Sequence, residues 1–191
     1  MKHYLVAFAA IVCVPGIAAA QDTGTNPHFD GVRAEARLGW ETPTVSEGGQ
    51  VFKIDSAISY GGEVGFDAKL GGKVVAGPYA VYEFSSVKLC DGADCIRESG
   101  NLGAGGRIGI AVSPRVLIYG KLGYARIRFT ASSGGAIGSA SADGVQGAIG
   151  LDLNFSRNVY GLVEINYADY GRFEGINLQR RHVATGIGVR F

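Results

Sequence analysis

The sequence predicts an all-β chain, an eight-stranded antiparallel up-and-down transmembrane β-barrel. Three observations carry that expectation. Apolar residues alternate with small or polar ones in eight segments, the connections between segments alternate long and short, and no stretch sustains a helical period. The segments fall at about residues 30–40, 59–70, 74–84, 102–113, 116–129, 145–155, 159–170 and 180–191. Each is near the roughly 9–11 residues that a tilted strand needs to cross a bilayer. Residues 41–58, 85–101, 130–144 and 171–179 are long connections, whereas 71–73, 114–115 and 156–158 are short. Tight turns at one end and long loops at the other are the layout of bacterial outer-membrane barrels.

The first twenty residues, MKHYLVAFAAIVCVPGIAAA, stand apart from this alternation. A basic start at Lys2, an apolar stretch from Tyr4 to Val14, a Pro-Gly breaker and a run of Ala18, Ala19 and Ala20 read as a secretory signal peptide. The expected organisation is a signal peptide at 1–20, an N-terminal linker at 21–28 and a barrel domain at 29–191. With Lys2 set aside, the 18 basic residues fall to the same number as the 17 acidic ones, so no net field points to nucleic acid. Glycine is abundant, at 31 residues, but lies within segments rich in Val, Ile, Tyr and Phe. Only the Ser/Gly/Ala stretch at 131–144 reads as a flexible loop.

The segments separate into two series, taken in order. The first sets Val32, Ala34, Ala36 and Leu38 against Arg33, Glu35 and Arg37, with Trp40 at its end. The second sets Val64, Phe66, Ala68 and Leu70 against Glu63, Asp67 and Lys69. The third carries Glu83 and a discordant Pro78, which cannot donate to a ladder and predicts a local bulge or a missing bond. The fourth opposes Ile108, Ile110 and Val112 to Arg107. The fifth holds Lys121 and, on the other parity, Arg126 and Arg128, which belong beyond the hydrocarbon. The sixth and seventh oppose Ile149, Leu151, Leu153, Val163 and Ile165 to Asp152 and Glu164. The eighth opposes Val183, Thr185, Ile187, Val189 and Phe191 to a series ending at Arg190.

A soluble barrel would show the same alternation with its faces exchanged. The polar series argues against it, because single charges are interleaved with glycine, as a narrow interior needs and a wet surface does not. Aromatic residues also gather where strands would cross interfaces: Trp40, Tyr60, Tyr82, Phe84, Phe129, Tyr167 and Tyr170 toward the long loops, Phe155 and Phe191 at the other end. Cys90 and Cys95, in CDGADC, read as a disulfide closing a small loop, worth about 2 kcal/mol by chain entropy. Zinc would want more ligands than that segment offers, so no metal and no cofactor is expected.

The stretches YGGEVGFDAKL, GPYAVYEFS, LIYGKLGYA and YGLVEINYADYG, with the ending GIGVRF, resemble the small outer-membrane barrel proteins of Gram-negative bacteria. OmpA-like barrel domains and the short "porin family" or Omp25-type surface proteins are nearest in style, and the resemblance covers residues 29–191. It implies residence in the bacterial outer membrane, contact with its lipid and lipopolysaccharide, and recognition by the barrel assembly machinery. In that family an aromatic last residue on an alternating strand is the assembly signal, which here falls on Val183, Ile187, Val189 and Phe191.

The polar series places six acidic and six basic side chains inside: Arg33, Glu35, Arg37, Glu63, Asp67, Lys69, Glu83, Arg107, Lys121, Asp152, Glu164 and Arg190. Charges withdrawn from water are costly unless paired. A central cluster of Glu35, Arg37, Glu63, Arg107, Lys121 and Glu164 is therefore expected, in a bore that eight strands leave nearly filled. His182 falls on the inner parity with no serine at a short spacing, and reads as lumen-lining. Asp91, Asp94, Arg97 and Glu98 would surround the disulfide, and Arg180 and Arg181 would suit lipopolysaccharide phosphates. The expected role is a non-enzymatic barrel, structural or surface-interactive, with any extracellular ligand held by the loops. A small gated channel is the alternative, and a lipid A modifying enzyme the third reading.

Overall fold

The computed structural model of the chain describes residues 29–47, 50–53, 56–92, 94–133, 136–173 and 176–191. The expected signal peptide and linker lie outside these residues. The described residues form ten strands: β1 Gly31–Glu47, β2 Gln50–Lys53, β3 Ala57–Gly71, β4 Val74–Ser85, β5 Lys88–Asp91, β6 Asp94–Ser113, β7 Val116–Ser133, β8 Ala136–Asn154, β9 Val159–Phe173 and β10 Ile176–Arg190. All except β2 and β5 are antiparallel to two neighbours and make the wall. β10 pairs β9 on one side and β1 on the other, from Arg33↔Arg190 to Ser46↔Asn177, so the eight-stranded sheet closes into a barrel. The short strands β2 and β5 pair only with the outer parts of β1 and β6.

The wall runs further than the hydrophobic pattern foretells. β6, β7 and β8 are 20, 18 and 19 residues long. Of residues 131–144, expected as a flexible loop, 131–133 and 136–144 instead continue the β7–β8 ladder, out to Ser133↔Ala136. Main-chain pairing asks for no particular side chain, so small residues extend a ladder that their composition does not announce.

Leu38, Val64, Ile108, Ile149, Ile165, Val183 and Ile187 all point outward and are exposed, forming the lipid face. Trp40, Tyr60, Tyr82, Phe84, Tyr124 and Tyr167 lie on that face toward the long ends of the strands, with Phe155 and Phe191 at the short-turn end. This matches the girdles of membrane barrels. Phe129 and Tyr170, expected in the girdle, point inward instead and share an apolar cluster. They keep the parity of Lys121 and Glu164, which their strands carry past the membrane unbroken. Lys69, expected inside, is exposed at the rim, where the register shifts between Lys69 and Gly71. At Pro78 the β3–β4 ladder skips from Gly65↔Tyr79 to Ala68↔Ala76 with its register preserved, an interruption without a bulge.

The seam depends on a glycine. Gly31 has φ 118°, and a Cβ there would sit 2.1 Å from the carbonyl oxygen of Phe191. That approach lets the Phe191 amide donate to the Val32 carbonyl at 2.9 Å, while the Arg190 amide donates to Asn158 O at 2.8 Å. Gly31→Val combines left-handed strain, about 1–3 kcal/mol, with a main-chain collision. A lowered urea midpoint for the detergent-refolded chain, with loss of the faster-migrating unheated band, is the expected outcome.

Candidate functional site

The polar parity of the wall strands converges on a column of buried charges. In its central layer Arg33 donates to Glu35 at 2.7 Å and to Glu63 at 2.6 Å. Arg37 reaches Glu35 at 3.0 Å, Glu63 at 3.2 Å and Glu164 at 2.5 Å. Lys121 Nζ closes the ring, 2.7 Å from Glu63 and 2.6 Å from Glu164. Tyr119 and Tyr160 donate their hydroxyls to Glu164 and Glu35 at 2.9 and 2.8 Å. Each carboxylate thus meets at least two cations, which offsets the cost of removing it from water.

Of the six residues expected at the centre, Glu35, Arg37, Glu63, Lys121 and Glu164 share this ring, and Arg33 completes it. Arg107 lies one layer toward the short turns, 2.6 Å from both Asp67 and Asp152, with Arg190 2.9 Å from Asp152. Its guanidinium stacks 3.8 Å from the Tyr119 ring centre, and that of Arg190 lies 4.3 Å from the centre of Tyr160. Glycines make room for these rings: a Cβ on Gly150 would lie 2.5 Å from Tyr119, and one on Gly188 2.2 Å from Tyr160.

Toward the long loops a third layer centres on Arg180, which donates to Glu41 at 2.6 Å and to Glu83 at 3.0 Å. Arg180 is 1% exposed, so it does not face lipopolysaccharide phosphates as its place beside Arg181 suggests; only Arg181 is exposed. The reason is parity, since Arg180 and His182 alternate inward while Arg181 points out. Glu98, expected on the surface around the disulfide, is likewise buried. A register shift between Glu98 and Gly100 turns it into the interior. Glu41 and Glu98 were hidden from the hydrophobic pattern because they sit on strand extensions, whereas Arg180 opens the last expected segment, whose inner parity already included it; continuing the inner parity of β1 outward would have found Glu41.

His182 is buried and its Nε2 lies 2.8 Å from Ser59 Oγ, with Nδ1 3.6 Å from Glu83. The sequence spacing gave no hint of this pair, which joins β10 to β3 across the intervening β1. Hydroxyl, imidazole and carboxylate follow one another as in a hydrolytic site. Ser59 is 1% exposed, however, and Glu83 is held by Arg37 as well as Arg180.

Apolar clusters lie at both ends of the column: Phe29, Val75 and Leu117 near the short turns, and Ala125, Ile127, Ala142, Ala168, Tyr170 and Leu178 near the long loops. Beyond the girdle, Cys90 and Cys95 form a disulfide between directly paired residues of the β5–β6 hairpin. On the outer face above Tyr124, Arg126 pairs with Asp143 through contacts of 2.5 and 3.1 Å, which hold the Asp143 carboxyl down to about 2. Among the described residues, no group of three or more His, Cys, Asp or Glu is arranged to hold a metal.

A closed antiparallel barrel with an apolar outer face, aromatic girdles and a charge-paired interior defines a transmembrane barrel of the bacterial outer membrane. The chain belongs to the outer membrane protein β-barrel domain family, whose model matches residues 5–191. Its fold is similar to that of Ail, the attachment invasion locus protein of Yersinia pestis, solved with the heparin analogue sucrose octasulfate. The TM-score is 0.59 at 17% identity, covering 85% of this chain and 100% of that one. Neisserial surface protein A gives a TM-score of 0.60 at 12% identity over 83% of this chain and 97% of that one. OprG from Pseudomonas aeruginosa gives 0.52 at 12% identity over 87% and 98%. No curated protein sequence matches the chain.

Two outcomes are expected of this column. Lys121→Met leaves Glu63 and Glu164 short of a cation and should cost about 3–5 kcal/mol in urea unfolding of the refolded barrel, with partial recovery in the Lys121→Met, Glu164→Gln double variant. Glu98, beyond the girdle, is pushed up to about 8, first by burial and then by the negative charge of Glu41. Its contribution is full below the ordinary glutamate range and is lost as pH rises through about 8. With EDTA present, Glu98→Gln should therefore raise the urea midpoint at alkaline pH and leave it unchanged near pH 4, the ordinary glutamate value being about 4.3.

Proposed function

We propose that this protein is a non-enzymatic outer-membrane barrel with a closed, charge-paired lumen, whose outer strand extensions serve a structural or surface-interaction role. The observation that carries this reading is the central ring, in which Arg33, Arg37 and Lys121 are shared among Glu35, Glu63 and Glu164. A pore selective by charge places one sign around its constriction. Here the narrow part is neutral and cross-linked, and apolar side chains lie above and below it. Opening a path would mean breaking several buried ion pairs at once.

The surface role rests on the strand extensions. Lys88, Arg97 and Arg128 are exposed on them beyond the girdle, with the disulfide fixing the β5–β6 tip. An attachment protein solved with a sulfated heparin analogue has the same fold, and exposed cations of this kind suit an anionic ligand outside the cell. The assembly role of Val183, Ile187, Val189 and Phe191 belongs to the same proposal: all four are exposed on the lipid side of β10 or just beyond it.

Planar-bilayer recording tests the closed lumen. Purified, refolded protein should give no steady unitary current, and reproducible single-channel steps would overturn the reading. A fluorophosphonate probe should leave Ser59 unlabelled in the folded barrel. Labelling that disappears in Ser59→Ala would reopen the enzymatic alternative.

A further inference from the structure

The charge column is balanced at its centre but not at its outer mouth. Among the described residues, the buried side chains include six basic groups, Arg33, Arg37, Arg107, Lys121, Arg180 and Arg190, against eight acidic ones. The central layer sets three cations against three carboxylates, and the inner layer sets Arg107 and Arg190 against Asp67 and Asp152. Both surplus negative charges therefore belong to the outer layer. There Glu41, Glu83 and Glu98 have one cation of their own, Arg180, already committed to Glu41 and Glu83.

The orphaned polar atoms divide in the same way. Toward the short turns, unpartnered donors on Arg33, Arg107 and Asn154 accompany unpartnered oxygens on Asp67 and Asp152. Toward the long loops, the inward-facing Glu41, Glu98 and Asn166 leave acceptors, Glu41 Oε1, both oxygens of Glu98 and Asn166 Oδ1, while the Thr44 hydroxyl, on the other parity of β1, is also without a partner among the described residues. Glu98 is the extreme case: it is 1% exposed, no cation among the described residues pairs with it and neither oxygen makes a hydrogen bond of ordinary geometry, the Ser85 hydroxyl nearby favouring its charged form less than burial and Glu41 oppose it. Glu41 is the charge that acts on it most strongly, and Arg180 feels both. A buried carboxylate with no partner is costly unless it is protonated or a cation joins it.

We infer that the outer mouth of the lumen binds one divalent cation, a hard ion of the calcium or magnesium kind, between Glu98 and Glu41. All of the available donors are oxygens, which such ions prefer, and two positive charges cancel the surplus. With only two carboxylates supplied by the protein, water fills the remaining positions and the affinity is modest. The ion competes with a proton at Glu98, so binding strengthens from mildly acidic to mildly alkaline pH. Glu41, Glu83, Arg180, His182 and Tyr170 are the other titratable groups facing the chamber; Arg180 weakens the site, and Glu83 is neutralised by its two arginines.

Calorimetric titration of the full refolded chain in detergent, with calcium chloride alone and then magnesium chloride, tests this. One ion per chain is expected, with affinity reduced about tenfold or more in Glu98→Gln and unchanged in Asp143→Asn, whose pair lies outside the lumen. Glu98→Gln removes an unpaired buried charge and should fold, which the faster-migrating unheated band checks. Calcium should also raise the thermal midpoint of the wild-type barrel relative to EDTA, and not that of the variant. Absence of saturable binding at millimolar concentrations, or binding kept by both Glu98→Gln and Glu41→Gln, would overturn the assignment.

Discussion

Closure of β1 onto β10 is the constraint on which the rest of this molecule depends. In hydrocarbon an unpaired strand edge leaves a row of amides and carbonyls with no water to satisfy them, so a spanning sheet persists only as a closed one. The β1–β10 ladder removes both edges at once. Closure at eight strands then fixes the bore, and the bore fixes what can occupy it. Eight strands leave a narrow bore, and within the membrane its inward charges meet their counter-charges among neighbouring side chains. The shared carboxylates of the central ring, the rings stacked on guanidinium groups and the glycines opposite Tyr119 and Tyr160 are successive answers to that one geometric demand.

The interior and exterior obey opposite rules on the same strands. Leu38 and Arg37 are adjacent in sequence, yet one is exposed to lipid while the other is buried and meets four carboxylates. A soluble protein reverses this, and a one-residue slip here would put a guanidinium into hydrocarbon. Register is consequently specified twice, by the apolar band outside and by the ion pairs inside. The β1–β10 pairing, for example, keeps constant register over its whole length.

Strand count, turn positions and the facing of residues within the membrane were legible in the sequence because the bilayer imposes a sharp chemical contrast on alternate residues. That contrast stops at the girdle, and so does legibility. Past Trp40, Tyr124 and Tyr167 both faces of the sheet can carry polar or small residues, and nothing in the pattern separates a paired strand from a loop. Glu41 and Glu98 were therefore read as loop or surface residues and residues 131–144 as a loop, while Arg180, the first residue of the last segment, was grouped with the exposed Arg181 against its own parity. Ser59 and His182 illustrate a second limit. Their contact joins residues far apart in sequence through two ladders, and no local spacing encodes it. Arg107 shows a third, since depth within a tilted barrel depends on shear, which residue counting from the turns approximates only to within a layer.

The continued pairing of β6, β7 and β8 gives the protein reach. From Tyr124 to Ser133 the ladder adds nine residues, roughly 30 Å along the strand at about 3.3 Å each and somewhat less in height once tilt is allowed for. Hydrogen-bonded on both flanks for most of that distance, it behaves as a stiff mast where a loose loop would collapse onto the headgroups. The paired residues out to Ser133 and Ala136 are thereby held at a set height above the girdle, with little conformational entropy left to lose.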